Sequence, residues 1–149
     1  MMQADIVNEW RKEDFVISTD RSLLNLEFIH SFLSTKAYWA MGRSLDVVEH
    51  AIQNSLTFGV FERRKQIGFA RVVTDFATFA WIADVFIIEE YRGRGLGVWL
   101  IEVIMSHQQL QGLRRWILAT RDAHELYRRC GFNELANPRR YMEKMSDML

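Results

Sequence analysis

Residues 83–97 read Ala-Asp-Val-Phe-Ile-Ile-Glu-Glu-Tyr-Arg-Gly-Arg-Gly-Leu-Gly, and what flanks this stretch decides the fold. Upstream, Phe79 to Ile88 is a strongly apolar run, the pattern of a central strand. Downstream, Leu96, Leu100, Val103, Ile104 and Met105 mark one face of a helix reaching Gln109, with Gly112 as its terminator. Gly93, Gly95 and Gly97 let backbone N–H groups converge with no Cβ in the way. Just ahead of a helix, those donors also feel the positive end of its dipole. Strand, loop and helix start together make a site for phosphate or pyrophosphate. Arg92 and Arg94 add positive charge there; the bland alternative is a tight turn carrying two exposed arginines.

Outward from the loop, the period of the apolar residues changes twice. Phe15 to Thr19 predicts a short first strand, and Asp20 or Ser22 a cap for a helix carrying Leu23, Leu26, Phe28, Ile29, Phe32 and Leu33. Ser44 opens a second helix through Val47, Val48, Ala51 and Ile52. Ser55–Glu62 and Ile67–Thr74 alternate as a hairpin around the polar turn 63–66, and 75–78 is a second turn. Beyond the central helix, Trp116–Thr120 reads as a short buried strand. Asp122-Ala-His-Glu125 resembles a capping box for a last helix that stops at Gly131. Phe132–Leu135 and Arg140–Met145 predict a terminal hairpin around Asn137-Pro138. The order β α α β β β α β α β β fits an α/β fold: a mixed central sheet with helices on both faces.

Bulk properties narrow the function. No linker, repeat or low-complexity run divides the 149 residues, which read as one domain, 1–149. Nineteen basic residues balance nineteen acidic ones, so no charge excess favours nucleic acid or an anionic membrane as partner. No segment has the apolar length of a membrane span, and residues 1–14 lack a signal-peptide core. The single Cys130 cannot form an internal disulfide, so a cytoplasmic location is the default.

Two phosphate-binding motifs fail on residues. A nucleotide-hydrolase loop needs Lys-Ser or Lys-Thr after its last glycine, where Val98-Trp99 stand. A dinucleotide fingerprint needs a third glycine at its sixth position, where Val98 (counting from Gly93) or Leu100 (from Gly95) stands. The pattern that fits is Arg92, two residues, Gly95, one residue, Gly97. It resembles the acyl-CoA loop of the GNAT N-acetyltransferase superfamily. Residues 83–97 look like that family's fourth strand and loop, and 123–132, Ala-His-Glu-Leu-Tyr-Arg-Arg-Cys-Gly-Phe, are similar to its last helix. The element order from Phe15 to Met145 agrees as well, so the likeness spans nearly the whole chain. The chain departs at Glu89, where the family often has Pro, and at Thr120, where it commonly has an Asn on the cofactor arm.

The resemblance implies a GNAT-like fold and an acyltransferase that uses acetyl-CoA as co-substrate, with no metal. Phe86, Ile87, Arg92, Gly93, Arg94, Gly95, Leu96, Gly97 and Thr120 would hold the cofactor. Tyr127 matches the general acid for the leaving thiolate, its reference pKa of about 10 keeping it protonated. Asp84, on an otherwise apolar strand, is the candidate base; the alternative is a buried carboxylate satisfied by Arg43 or Arg71. The acceptor pocket would be walled by loop 36–43, giving Tyr38, Trp39 and Arg43, with Asp75 a further candidate. Arg43 suggests an acceptor with a carboxylate or phosphate. His124 reads as capping or surface and Cys130 as packing. The leading expectation is N-acetylation of a small-molecule primary amine by direct attack; the alternatives are peptide or protein N-acetylation and a non-catalytic CoA-binding sensor. Homodimers are common in the family.

Overall fold

The structure, a computed structural model, describes residues 6–146. Six strands form one sheet in sequence order: β1 (Glu9–Lys12), β2 (Phe15–Ser18), β3 (Leu56–Glu62), β4 (Lys65–Thr74), β5 (Phe79–Ile87) and β6 (Arg115–Ile117). The first five form an antiparallel meander, and β6 joins β5 in parallel, so the sheet is mixed. The helices are α1 (Leu26–Thr35), α2 (Leu45–Gln53), α3 (Leu96–Ser106) and α4 (His124–Arg129).

The sheet is covered on both faces, as its two apolar clusters show. Ile29, Phe32 and Leu33 of α1 and Val48 and Ile52 of α2 pack with Phe69 and Phe86. Leu96, Leu100, Ile101, Val103 and Ile104 of α3 pack with Phe58, Val60, Val72, Ala80 and Ile82. Each fully buried large side chain contributes about 1.5–3 kcal/mol through area removed from water.

One irregularity in β5 sets which way the end of that strand faces. Between the pairs Phe69↔Phe86 and Arg71↔Ala83, β4 advances two residues and β5 three. The extra residue is a bulge at Asp84–Val85, and Asp84 has φ +55°, in the left-handed region. A one-residue slip exchanges the faces of a strand. Ile82 and Ile87 therefore share the α3-side cluster, while Phe86 turns to stack on Phe32, ring centroids 3.9 Å apart.

Several local expectations are corrected. A strand precedes the first one anticipated: Glu9–Lys12 pairs with Phe15–Ser18. Asp20 caps only a 3₁₀ turn at Arg21–Leu23, and Asn25 caps α1, its side chain accepting from Phe28 N–H. Ser44 caps α2 as expected, accepting from Val47 N–H. The β3–β4 turn is shorter than the tetrapeptide 63–66, because Glu62 already pairs with Lys65 and Arg63 takes φ +56°. Helix α3 stops at Ser106; a 3₁₀ turn intervenes before Gly112. Asp122 forms no capping box, for α4 starts from Ala123, whose N–H donates to Thr120 Oγ1. Strand β6 is three residues long, and 132–146 holds a 3₁₀ turn at Pro138–Arg140 in place of the terminal hairpin.

Candidate active site

The parallel ladder between β5 and β6 has only three residue pairs, Phe79↔Arg115 to Trp81↔Ile117. Past Trp81 the two strands part, and the β6-side edge of β5 has no strand partner among the described residues. Into this opening faces a cavity of about 700 Å³ lined by Val85, Phe86, Ile87, Arg92, Gly93, Gly95, Leu96, Gly97, Val98 and Tyr127. The glycine loop is built for close approach. Gly93 and Gly95 have φ +79° and +80°, and nothing lies within 4 Å of where their Cβ atoms would be. Gly95 begins α3 with no side-chain cap, which leaves the first-turn N–H groups of α3 facing the cavity as anion donors.

The two arginines behave differently. Arg92 lines the cavity and donates from Nε to Ile87 O at 2.9 Å, locking the loop to the end of β5. Arg94 does not line it; its guanidinium lies over the Tyr91 ring, 5.0 Å from the centroid. Tyr91 donates to Glu62 Oε1 at 2.5 Å, so this aromatic ties the loop to β3.

A second cavity of about 590 Å³ adjoins the first, with Tyr38, Trp39, Val85, Arg121, Asp122, Ala123 and Tyr127 in both walls. Arg43, Arg71, Trp81, Asp84 and Thr120 belong to the second alone. Asp84 is its hub. Oδ1 accepts from Trp39 Nε1 at 2.7 Å and Arg43 Nη1 at 3.1 Å; Oδ2 accepts from Arg43 Nη1 at 2.9 Å and Arg71 Nε at 2.6 Å. Burial pulls the Asp84 pKa upward, but Arg71, then Arg43 and Trp39, outweigh it and hold the carboxyl below its usual value.

Tyr127 is half-buried where the cavities meet, edge-on to Phe132. Burial, with smaller contributions from Tyr38 and Cys130, pushes its pKa up to about 12. Across the opening, Arg121 N–H donates to Tyr38 Oη at 2.8 Å and the Arg121 guanidinium lies 3.8 Å from the Tyr38 ring centroid. This contact joins the α1–α2 loop to the β6–α4 loop.

The anticipated residues therefore divide. Phe86, Ile87, Arg92, Gly93, Gly95, Leu96 and Gly97 meet at one cavity, and Tyr38, Trp39, Arg43 and Asp84 at the other. Thr120 lines the second cavity, not the glycine-loop one. Asp75 lines neither: its carboxylate accepts from the N–H groups of Ala77, Thr78 and Phe79 and from Thr78 Oγ1, which closes the β4–β5 turn. Trp81 and Arg121 were not anticipated. Trp81 had a signal, being a large aromatic out of phase with the buried Ala80 and Ile82. Arg121, on an irregular loop, had none. Among the described residues, no group of three or more His, Cys, Asp or Glu could hold a metal, and no helix is long and apolar enough to cross a membrane.

Comparison with known proteins meets this geometry. The family model for the acetyltransferase (GNAT) domain matches residues 53–134, from the end of α2 through the glycine loop and α4. The chain belongs to the GNAT acetyltransferase family. A Gibberella zeae protein, itself an acetyltransferase by inference, is 31% identical over 140 residues, covering 79% of this chain and 78% of that one. The crystal structure of a Xanthomonas campestris pv. campestris protein assigned to the GNAT family superposes with TM-score 0.86 at 47% identity, covering 89% and 93% of the two chains. N-acetylglutamate synthase from Neisseria gonorrhoeae, solved with coenzyme A and N-acetyl-glutamate, shares the fold. Its TM-score is 0.68 at 19% identity, over 87% of this chain and 32% of that one. This GNAT chain is thus an acyltransferase, with the family's mixed sheet and helices.

Proposed function

We propose that this GNAT protein moves the acetyl group of acetyl-CoA to the primary amine of a small molecule by direct attack in a ternary complex. One observation carries this reading: a glycine-loop cavity and a second, aromatic-walled cavity meet at Val85, Ala123 and Tyr127. When bound, acetyl-CoA would supply a thioester as acyl donor. The residues present fit it. The uncapped first turn of α3, with Gly93, Gly95 and Arg92, suits a pyrophosphate. The unpaired edge of β5 at Val85–Ile87 offers backbone groups to an extended, amide-bearing arm.

Tyr127 Oη keeps its proton at neutral pH and is the donor to a leaving thiolate. Asp84 is a weaker candidate for the base than its position in the sequence suggested. Both its oxygens already accept from cationic or indole donors, which favours release of the amine proton to water. The Tyr38–Arg121 contact narrows the acceptor side and favours a small molecule over a protein chain.

A thermal-shift series and a thiol-release assay test the reading. Acetyl-CoA should raise the melting temperature where NAD and ATP do not, and an amine panel should release free thiol. Stabilisation by acetyl-CoA without thiol release from any amine would point to a CoA-binding sensor instead.

A further inference from the structure

The second cavity carries more charge information than the reaction needs. Asp84 is the only carboxylate deep in it, and its two oxygens already share four donor contacts. An incoming ammonium finds no lone pair there. Asp122 stands at the rim, 67% exposed, beside Arg121 at 3.7 Å. Three arginines, Arg43, Arg71 and Arg121, thus face two aspartates.

The two inner guanidiniums are incompletely used. Arg43 gives only Nη1 to Asp84; Arg71 gives Nε to Asp84 and Nη1 to Ser55 Oγ at 3.2 Å. Nε and Nη2 of Arg43, and Nη2 of Arg71, have no acceptor among the described residues. Both side chains are about one-fifth exposed, 21% and 17%, with the cavity between them and solvent. A sheltered guanidinium with spare donors recognises a carboxylate through paired, charge-assisted hydrogen bonds. The large aromatic side chains of Trp39 and Trp81 line the same cavity.

We infer that the acceptor is an amine that also bears a carboxylate, on an apolar, planar body, with Arg43 and Arg71 binding the carboxylate. The inference rests on the acetyl-transfer reading and deepens it. It sets amino-acid-like acceptors above polyamines and simple amines, for which the inner part of this cavity holds no free anion. A doubly charged amine would meet an uncompensated guanidinium in a restricted space, an unfavourable contact.

The test pairs acceptors that differ only in the carboxylate. Thiol release is measured with L-phenylalanine against phenethylamine and with L-tryptophan against tryptamine, spermidine serving as the cationic reference. The carboxylate member of each pair should have kcat/KM at least tenfold higher, and Arg43→Gln should remove most of that preference. Equal values, or higher ones for the decarboxylated amines or spermidine, overturn the inference and leave acetyl transfer intact.

A binding measurement covers the case in which none of these amines reacts. Calorimetry with 3-phenylpropionate, which has the carboxylate and ring but no amine, should show binding to the wild-type chain. Binding should weaken tenfold or more in Arg43→Gln, while acetyl-CoA still stabilises the variant. Failure of 3-phenylpropionate to bind a chain that binds acetyl-CoA overturns the carboxylate assignment alone. Failure of acetyl-CoA itself to bind overturns the reading beneath it.

Discussion

Arg71 Nε lies 2.6 Å from Asp84 Oδ2, joining β4 to the one left-handed residue of β5. A non-glycine backbone at φ +55° costs free energy unless its surroundings hold it. Here the hold is ionic, and it is reinforced from the α1–α2 loop by Arg43 and Trp39. The bulge that turns the end of β5 toward the glycine loop is therefore pinned by a carboxylate rather than by a glycine.

Removing that carboxylate should be expensive. Asp84→Ala strands two guanidiniums and should cost about 3–5 kcal/mol in urea unfolding at pH 7. Asp84→Asn, which tolerates left-handed backbone and can still accept from Trp39, should cost less. The wild-type advantage should hold above the unfolded carboxyl pKa of about 3.9 and disappear as pH falls through the lowered folded value. If Asp84→Ala unfolds within about 0.5 kcal/mol of wild type, the cluster is worth no more than a surface ion pair.

Tyr127→Phe should lower kcat by about 10²–10⁴-fold, the range for a lost general acid, with little change in the KM for acetyl-CoA. Because burial holds the hydroxyl pKa at about 12, the wild-type rate should show no fall from Tyr127 ionisation below pH 10. A Tyr127→Phe enzyme with wild-type kcat would remove the acid role.

Gly68 is constrained by space rather than by dihedral angle. A Cβ there would sit 2.6 Å from Ile87 Cδ1 and 2.8 Å from Phe86 O, with backbone unable to yield cheaply. Gly68→Ala should cost about 1–3 kcal/mol and raise the KM for acetyl-CoA, since it pushes on the edge at Phe86 and Ile87. Gly112→Ala makes the control: nothing lies within 4 Å, so only the strain of φ +78° is felt and KM should not move. Equal KM values for the two variants would disconnect Gly68 from the cleft.

His107 is fully buried between Trp10 and Phe58, with Nδ1 accepting from Gln109 N–H and Nε2 without a partner among the described residues. Burial lowers its pKa, so the unfolded chain takes up a proton first as the solution is acidified. Stability should fall from about pH 6.5 downward and level off once the folded imidazole is protonated as well. His107→Phe should unfold with a flatter profile between pH 7 and 5. Parallel profiles for the two proteins would exclude His107 as the cause.

How much the sequence revealed depended on how local each signal was. Ser44, the alternation of 56–62 and the loop at 92–97 are determined within a few residues, and each was legible. Strand β1 was not: Glu-Trp-Arg-Lys has one apolar residue, and the strand exists because it pairs with β2. The terminal hairpin failed because the turn residues Asn137-Pro138 start a 3₁₀ turn instead of reversing a strand. For Asp84 the sequence left a base and a buried carboxylate satisfied by Arg43 or Arg71 open, and the structure shows both arginines on it, joined by Trp39. That all three converge at once was not legible: Trp39, Arg43 and Arg71 reach it from 45, 41 and 13 residues away, and no spacing rule brings them together.

The three-pair ladder between β5 and β6 has a consequence for how unevenly this protein holds together. Strands β3, β4 and β5 are joined by short turns and long antiparallel ladders, whereas Tyr127 lies beyond a parallel crossover, the slower and less stable kind of pairing. Local opening should therefore favour β6 and α4, with hydrogen exchange there outpacing exchange in β3 and β4. Such a fluctuation releases the residue proposed as acid while the meander stays folded. The Tyr38 side chain, holding Arg121 from the opposite loop, is the contact that works against that release.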